Sequence, residues 1–249
     1  MITVGVDLAA EPKGTALAVI EWSQEAATLV SLKLGVADDA IVEVTKTADK
    51  VGIDCALGWP VEFIEFLNRQ ARAGGDGDLI DGSIDARRRL AYRETDRRVH
   101  ATTGRWPLSV STDRLGLTAI RCAGLLSKMQ LEGIEVDRSG AGKLVEVYPG
   151  AALRIWGFDT TRYRVSAEVR SALATALKAQ APWFDFAQHQ DLMIESCDAF
   201  DAVIAALVTR AAALNAFDPP EPEVISQAQI EGWIALPILP INALLESQA

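Results

Sequence analysis

The sequence predicts an α/β fold in which a mixed five-stranded sheet is flanked by helices and a helical insertion follows the fourth strand. Three β-rich runs with short connections open the chain, at 2–8, 15–22 and 28–34, and predict an antiparallel meander. A polar segment with helical spacing, 38–50, then leads to a short apolar run at 51–53. Because a crossover helix joins parallel strands, we expect the fourth strand to run parallel to a strand of the meander.

The remainder of the chain predicts further helices and one more strand. The helices are expected at 61–72, from a cap at Ser83 or Asp85 to about 100, and at 113–131, 166–180 and 198–214. The fifth strand is expected at 143–148. A loop at 74–82 lies inside the insertion, which covers about 60–135, and an apolar segment that contains prolines ends the chain at about 218–249.

This order of elements differs from that of a doubly wound sheet, in which strands and helices alternate from the start. Three strands, a helix and a fourth strand are followed here by the insertion, a fifth strand and helices. That is the order of the ribonuclease-H-like fold. We therefore expect residues 1–249 to form a single domain of that fold.

The composition limits the classes of function. With 49% hydrophobic and 23% charged residues, the chain has the usage of a folded protein with a sizeable core. The 24 basic and 34 acidic residues give a net charge of −10, which argues against a protein that coats nucleic acid through its charge. Three cysteines and two histidines, without the spacing of a metal site, exclude a structural zinc site.

The two ends of the chain predict where the protein resides. The first residues carry neither a basic leader nor a cleavage site, and the apolar stretch at 233–245 is short and interrupted by two prolines. We therefore expect a cytoplasmic protein with no membrane segment. The apolar C-terminal segment covers either the chain's own sheet, which we favour, or the sheet of a second copy in a homo-oligomer.

Acidic residues cluster where the predicted strands end. Asp7 follows the first strand, Asp54 follows the fourth, and Glu146 lies within the fifth. Because ligands bind in the crevice at the carboxyl ends of parallel strands, Asp7 and Asp54 would converge if their strands are neighbours. Asp198 and Asp201 are three residues apart on the last long helix and therefore share one face of it.

Several carboxylates at one place repel one another. Burying them without partners costs on the order of several kcal/mol or forces them to be protonated. A divalent cation removes this cost, and hard cations such as Mg²⁺ or Mn²⁺ prefer oxygen ligands. Two such ions can activate a water and stabilise the leaving oxygen in phosphodiester hydrolysis. The pattern of acids therefore indicates a metal-dependent hydrolase.

Five segments together resemble one known family. They are VGVDLA at 4–9, IDCALGWP at 53–60, YRETD at 92–96, VEVYPGAALR at 145–154 and CDAFDAVIAAL at 197–207. Over nearly the whole chain, the sequence resembles the domain of unknown function family 429, whose members are described as predicted nucleases of ribonuclease-H-like fold. The last of these segments also resembles the final helix of Holliday-junction resolvases, where both acids bind the metals.

The resemblance implies roles for individual residues. The implied metal ligands, which are also the catalytic acids, are Asp7, Asp54, Asp198 and Asp201. Four further residues have implied accessory roles. Glu146 would assist the catalytic acids, and Arg93, Thr95 and Asp96 would bind the substrate.

Each candidate also has a structural explanation. Asp198 would serve as a helix N-cap and Asp201 as a first-turn acid that the helix dipole favours. Glu146 alternates with apolar neighbours and would then point outward from the sheet. The six arginines between 87 and 98 would form a solvated helix face.

Residues and resemblance together predict a nuclease or phosphodiesterase that uses Mg²⁺ or Mn²⁺ to hydrolyse a nucleic acid or nucleotide, with no side-chain nucleophile. Two alternatives stay open. One is a non-catalytic module of the same fold that binds a nucleotide or a protein partner. The other is an actin-like nucleotide hydrolase, because Asp7 with Gly14 and Thr15 is similar to a phosphate hairpin, but that fold needs a second copy that the sequence lacks.

Overall fold

The computed structural model describes residues 1–72 and 82–245, so all of the loop predicted at 74–82 except Gly82 lies outside the described residues. The strands are β1 (Ile2–Asp7), β2 (Ala16–Trp22), β3 (Ala27–Leu34), β4 (Lys50–Asp54), β5 (Leu144–Glu146) and β6 (Phe184–Asp185). They form one mixed sheet with the order β5-β4-β1-β2-β3-β6. The predicted α/β class with a mixed sheet is therefore confirmed.

The pairing of the strands follows the predicted scheme with one difference. β1, β2 and β3 form the antiparallel meander, and β4 runs parallel to β1, as the crossover rule requires. The predicted count of five strands is wrong for the described residues, since β6 adds a sixth strand parallel to β3. This strand has two residues, which is too short to give a period-two pattern in the sequence.

The described residues also form ten α-helices. They are α1 (Asp38–Thr47), α2 (Val61–Ala71), α3 (Ile84–Ala91), α4 (Glu94–Thr103), α5 (Gly116–Leu131), α6 (Pro149–Ile155), α7 (Ala167–Gln180), α8 (Gln190–Glu195), α9 (Cys197–Ala213) and α10 (Ile225–Glu231). Helices α2 to α5 lie between β4 and β5, where the helical insertion was predicted. The sequence patterns did not predict the short helices α6, α8 and α10.

The helix predicted from Ser83 or Asp85 to about residue 100 is wrong in one respect, because the chain breaks into α3 and α4. Ser83 caps α3 by accepting a hydrogen bond from the backbone amide of Ala86 at 3.1 Å. Arg93 has an extended backbone, and its amide donates to the Asp96 carboxylate at 2.9 Å. This cap by the Asp96 carboxylate starts a second helix and turns the arginine-rich segment at residue 93.

Helices cover both faces of the sheet. Val4, Val6 and Ile53 point to the face covered by α1 and α5, and they share a core with Ile41 and Leu125. Because side chains alternate along a strand, Thr3, Gly5 and Asp7 point to the opposite face, and so do Gly52 and Asp54. That second face is covered by α9, which is buried along nearly its whole length.

Two glycines allow α9 to lie unusually close to the sheet. A Cβ at Gly5 would collide with the backbone of Ala202 and Ala206, and a Cβ at Gly52 would collide with Thr209. Hydrogen bonds hold this contact, since the Thr3 hydroxyl donates to the carbonyl of Ala206 at 3.1 Å. The first turns of α9 are thereby fixed beside the carboxyl ends of β1 and β4.

The apolar C-terminal segment lies against its own chain, as favoured from the sequence. Ile234 forms a parallel bridge with Glu146 at the open side of β5, and the Ala235 amide donates to the carbonyl of Glu146 at 2.8 Å. Trp233, Ile234 and Leu236 are buried. None of the helices in the described part of the chain is long and apolar enough to span a bilayer.

Candidate active site

The ends of β1 and β4 bring two aspartates side by side. Asp7 and Asp54 are the last residues of these parallel strands, and they are register partners in the ladder. Both side chains point to the face that α9 covers. The convergence expected from neighbouring strands is therefore present in the structure.

The first turns of α9 add two further carboxylates. Ser196 caps this helix by accepting a hydrogen bond from the Ala199 amide at 3.2 Å, so the alternative that Asp198 is the N-cap is wrong. Asp201 is 4% exposed, and its Oδ1 atom has no hydrogen-bond partner. Its Oδ2 atom accepts from the Tyr163 hydroxyl at 3.4 Å and contacts the Cys197 thiol at 3.7 Å.

These four residues, Asp7, Asp54, Asp198 and Asp201, are called the cavity acids below. Together with other side chains they line a cavity of about 390 Å³ at the carboxyl ends of the strands. The structure thus brings all four implied metal ligands to one place. Glu146 and Arg93 also line this cavity, whereas Thr95 and Asp96 lie behind its wall.

Burial and mutual repulsion change the acidity of the cavity acids. Burial, followed by repulsion from Asp54, Asp201 and Asp198, raises the pKa of Asp7 to about 9. Burial and then repulsion from Asp201 raise the pKa of Asp54 well above its ordinary value. Burial raises the pKa of Asp201 to about 6, although Arg164 and two hydrogen bonds act in the opposite direction. Ionised cavity acids therefore destabilise the folded chain.

A cation that the sequence patterns did not predict lies beside the cavity acids. Arg164 lines the cavity on the segment between α6 and α7, and its Nη2 atom lies 4.0 Å from Oδ2 of Asp201. Its side chain is 56% exposed, and Nε donates to the Tyr163 hydroxyl at 3.4 Å. The sequence carries no signal for this role, because most arginines lie on the surface and Arg164 belongs to no periodic pattern. Arg164 therefore places a half-exposed positive charge at the cavity.

A second set of acids near the cavity is fully paired. Arg93 is 3% exposed, and its guanidinium makes two bonds to the Glu146 carboxylate, at 2.7 and 2.8 Å. It makes two more to Asp96, at 3.0 and 3.2 Å. Leu57, just after β4, donates its amide to Glu146 at 3.0 Å. We call Arg93, Asp96 and Glu146 the Arg93 cluster.

The surroundings of the Arg93 cluster join separate parts of the chain. Arg93 also donates to the carbonyl of Glu231 at 3.0 Å. The buried Glu231 carboxylate accepts from the first amides of α2 and α4, those of Val61 at 2.8 Å and Glu94 at 3.0 Å. The Thr95 hydroxyl accepts from the Ile234 amide at 2.8 Å. The polar atoms of the predicted substrate-binding residues are thus engaged within the fold, and their role at a substrate stays a prediction.

A model of the family described as "Protein of unknown function (DUF429)" matches residues 5–224, which is most of the chain. The chain belongs to this family. No curated protein and no solved structure matches it. The matched range contains the cavity acids, Arg164 and the Arg93 cluster. The DUF429 match therefore includes both sets of acids and the cation between α6 and α7.

The arginine-rich helices of this DUF429 member are largely neutralised by neighbouring acids. Four of the six arginines between 87 and 98 form exposed or half-exposed ion pairs, which are Arg88 with Asp85, Arg89 with Glu62, Arg97 with Glu94 and Arg98 with Asp218. A fifth, Arg93, is buried within the Arg93 cluster. The segment therefore does not present a continuous basic surface of the kind that binds duplex nucleic acid.

The chemistry of the cavity acids fits a hard divalent cation. Carboxylate oxygens are the ligands that Mg²⁺ and Mn²⁺ prefer, and a cation would give the buried Oδ1 of Asp201 a partner. Within residues 1–72 and 82–245, no three His, Cys, Asp or Glu side chains are already grouped as a metal site. Binding of an ion would therefore bring these carboxylates closer together than they lie in the structure.

Proposed function

We propose that this DUF429 member is a divalent-metal-dependent hydrolase of phosphodiesters, that is, a nuclease or phosphodiesterase. The observation that carries the proposal is the set of cavity acids, because four carboxylates share one cavity and one buried oxygen among them has no partner. Such a group is costly to the fold, and natural proteins retain costly polar groups mainly at functional sites.

We further propose that the fold is ribonuclease-H-like. Two features support this assignment. The five longer strands have the order β3-β2-β1-β4-β5, in which β2 alone runs antiparallel to the rest, and the acids lie at the carboxyl ends of the central pair. In addition, a late helix packs across these strands and contributes acids to the same place.

In this proposal the cavity acids hold one or two Mg²⁺ or Mn²⁺ ions. When bound, such ions supply a water of lowered pKa and stabilise the charge of the leaving oxygen. The hydrolysis adds the oxygen of water to phosphorus and breaks one P–O ester bond, so that the products are a phosphate monoester and an alcohol.

The chain's own residues orient the acids and the substrate. Tyr163 and Cys197 hold one oxygen of Asp201 and leave the other without a hydrogen-bond partner. Arg164, which is half exposed, is able to bind a phosphate oxygen without leaving a buried charge unpaired. The Arg93 cluster fixes Leu57, three residues after Asp54, and thereby the position of the strand end. Its members are positioning residues in this scheme.

The test is hydrolysis of methyl p-nitrophenyl phosphate by the purified chain with Mn²⁺ or Mg²⁺. We expect turnover by the wild type and a loss of more than about 100-fold in kcat/KM for Asp201→Asn, because a metal ligand is removed without a change of shape. The matched control is Glu135→Gln, which makes the same change of carboxylate to amide at an exposed position outside the cavity. It should keep full activity.

Unchanged turnover in Asp201→Asn would overturn the mechanism. If the wild type binds Mn²⁺ but hydrolyses none of a panel of phosphodiesters, the chain is instead a non-catalytic module of the kind considered from the sequence.

A further inference from the structure

Part of the cavity lining is apolar, and this part is called the apolar wall below. It includes Pro107 and Leu108, which follow α4, Leu115 at the start of α5, and Ile234 from the C-terminal segment. Leu108 is 51% exposed at this wall, although it is a large hydrophobic residue. A cavity lined by both charged and apolar side chains fits a ligand with one anionic and one apolar, flat part.

Neighbouring contacts fix the segment that carries this wall. The Trp106 ring stacks on Tyr92 and on His100, with ring centroids 4.2 Å apart in both pairs. The buried Ser109 hydroxyl donates to the carbonyl of Ala91 at 2.6 Å. The wall is therefore held in place on both sides of Leu108 before any ligand binds, which lowers the entropy cost of binding.

We propose that the cavity holds one unpaired nucleoside of the substrate, with its base against this apolar wall and its phosphate between Arg164 and the cavity acids. This inference rests on the proposed function and adds the substrate class to it. Two observations besides the shape support it. Asp201, whose Oδ1 atom has no hydrogen-bond partner, lines the cavity, and Arg164 beside it is a positive charge that a phosphate would meet there.

Size and charge exclude a base-paired substrate from this cavity. A volume of about 390 Å³ lies near the lower end of the range of small-molecule sites, about 300–1,000 Å³, and holds a single nucleotide but not a duplex. The net charge of −10 and the paired arginines of α3 and α4 provide little attraction for long duplexes. The unpaired nucleotide belongs either to a small nucleotide ester or to a single strand.

The experiment compares two chromogenic esters with the Mn²⁺-loaded full chain. Thymidine 5′-(p-nitrophenyl phosphate) contains a nucleoside, methyl p-nitrophenyl phosphate does not, and hydrolysis of either releases p-nitrophenol. We expect kcat/KM to be at least about 10-fold higher for the thymidine ester, because an apolar contact discriminates by about 10- to 200-fold. Leu108→Ser should lower kcat/KM for the thymidine ester by about 10-fold and should lower it by a smaller factor for the methyl ester, which has no nucleoside to place against the wall.

Leu131→Ser is the matched control, since Leu131 is 88% exposed at the other end of α5. It should affect neither ester. A single-stranded oligonucleotide and its duplex form the second arm. We expect the single strand to be cleaved at least about 10-fold faster, because a paired base cannot leave its stack without cost. Cleavage of the strand, or of the small ester alone, then identifies the source of the nucleotide.

The outcomes separate failure of the nucleoside inference from failure of the proposed hydrolysis. Equal rates on both esters, no effect of Leu108→Ser, or a preference for the duplex would overturn the nucleoside inference and leave phosphodiester hydrolysis standing. If neither ester is hydrolysed, the proposed function fails, and equilibrium binding of adenosine 5′-monophosphate with Mn²⁺ decides the inference alone. Binding that Leu108→Ser weakens about 10-fold supports it, and no binding by the wild type overturns it.

Discussion

The cavity acids and the Arg93 cluster lie at the same end of the sheet and differ in how their charges are satisfied. In the Arg93 cluster, one buried guanidinium makes four bonds to two carboxylates. Among the cavity acids, one half-exposed arginine lies 4.0 Å from a single carboxylate, and burial, together with repulsion between carboxylates, raises the pKa values of Asp7, Asp54 and Asp201. Burial alone therefore does not decide whether a carboxylate has a close counter-charge.

The two sets of acids differ in how their charges affect the stability of the folded chain. A buried carboxylate with a bidentate arginine and backbone amides is neutralised in place. A buried carboxylate with carboxylate neighbours has to be protonated or bind a cation. The two sets should therefore respond with opposite sign when a charge is removed, and the following experiments test this contrast.

Removal of the guanidinium should have the largest effect. We expect Arg93→Met to lower the free energy of unfolding by about 3–5 kcal/mol, because Glu146 and Asp96 are left buried without a counter-charge. Urea denaturation at pH 7 measures the loss. If this variant does not fold, Arg93→Lys, which keeps the charge but not the bidentate geometry, should show a smaller loss of the same sign. A loss below about 1 kcal/mol would show that the cluster is not paired as described.

Saturation with Mn²⁺ should stabilise the wild type. An ion present at 100 times its dissociation constant raises the free energy of unfolding by about 2.7 kcal/mol. Thermal unfolding across a Mn²⁺ titration measures this as a rise of the midpoint. The double variant Asp7→Asn/Asp201→Asn should lose the response, whereas Glu135→Gln should keep it. A rise that persists in the double variant would place the ion elsewhere.

Without added metal, Asp7→Asn should stabilise the chain. The pKa of Asp7 is raised from 3.8 to about 9 by folding, so the folded state binds more protons than the unfolded state between these pH values. The wild type therefore loses stability as the pH rises from about 4 to 9, and the variant lacks this loss. Because Asp7 is partly exposed, we expect a gain of about 1–3 kcal/mol at pH 8.

Urea denaturation at pH 5, 7 and 8.5 checks both the gain and its growth with pH. Glu135→Gln controls for the change of net charge and should stay within about 0.5 kcal/mol of the wild type at each pH. A stability loss in Asp7→Asn that is constant with pH would contradict the repulsion argument.

The exposed ion pair between Arg98 and Asp218 should contribute least. The Arg98 guanidinium makes two hydrogen bonds to the Asp218 carboxylate, one of them at 2.9 Å, as Arg93 does to Glu146. Unlike Arg93, however, the Arg98 side chain is 47% exposed. We expect Arg98→Ala to cost at most about 1 kcal/mol, because water screens the pair. A cost similar to that of Arg93→Met in the same urea assay would mean that burial does not set the difference.

The sequence allowed much of the fold to be predicted because the rules involved are local. The short connections between β1, β2 and β3 predicted the meander, and the crossover through α1 predicted that β4 runs parallel to a strand of it, which the structure shows to be β1. That pair alone brings Asp7 and Asp54 together. β6 and the break between α3 and α4 depend on tertiary contacts, and no local pattern marks them.

The remaining parts of the site depend on contacts between distant segments. Arg164 and Leu108 reach the cavity through loop conformations that residue spacing does not encode. Glu146 was grouped with the cavity acids because it is near a strand end. Its neighbours Val145 and Val147 belong to the core on the α9 side, so alternation turns Glu146 away from that side and towards Arg93.

The contact of α9 with Gly5 and Gly52 also controls how finely the cavity is adjusted. A side chain at Gly5 would have to displace the backbone of α9, and a side chain at Gly52 would collide with the Thr209 side chain on the same helix. A shift of α9 would move Asp201. The distance between the acids on the helix and those on the strands is therefore set by two residues that have no side chain and do not line the cavity. A single added methyl group under α9 is the smallest change by which mutation could retune the spacing of the acids while leaving every one of them in place.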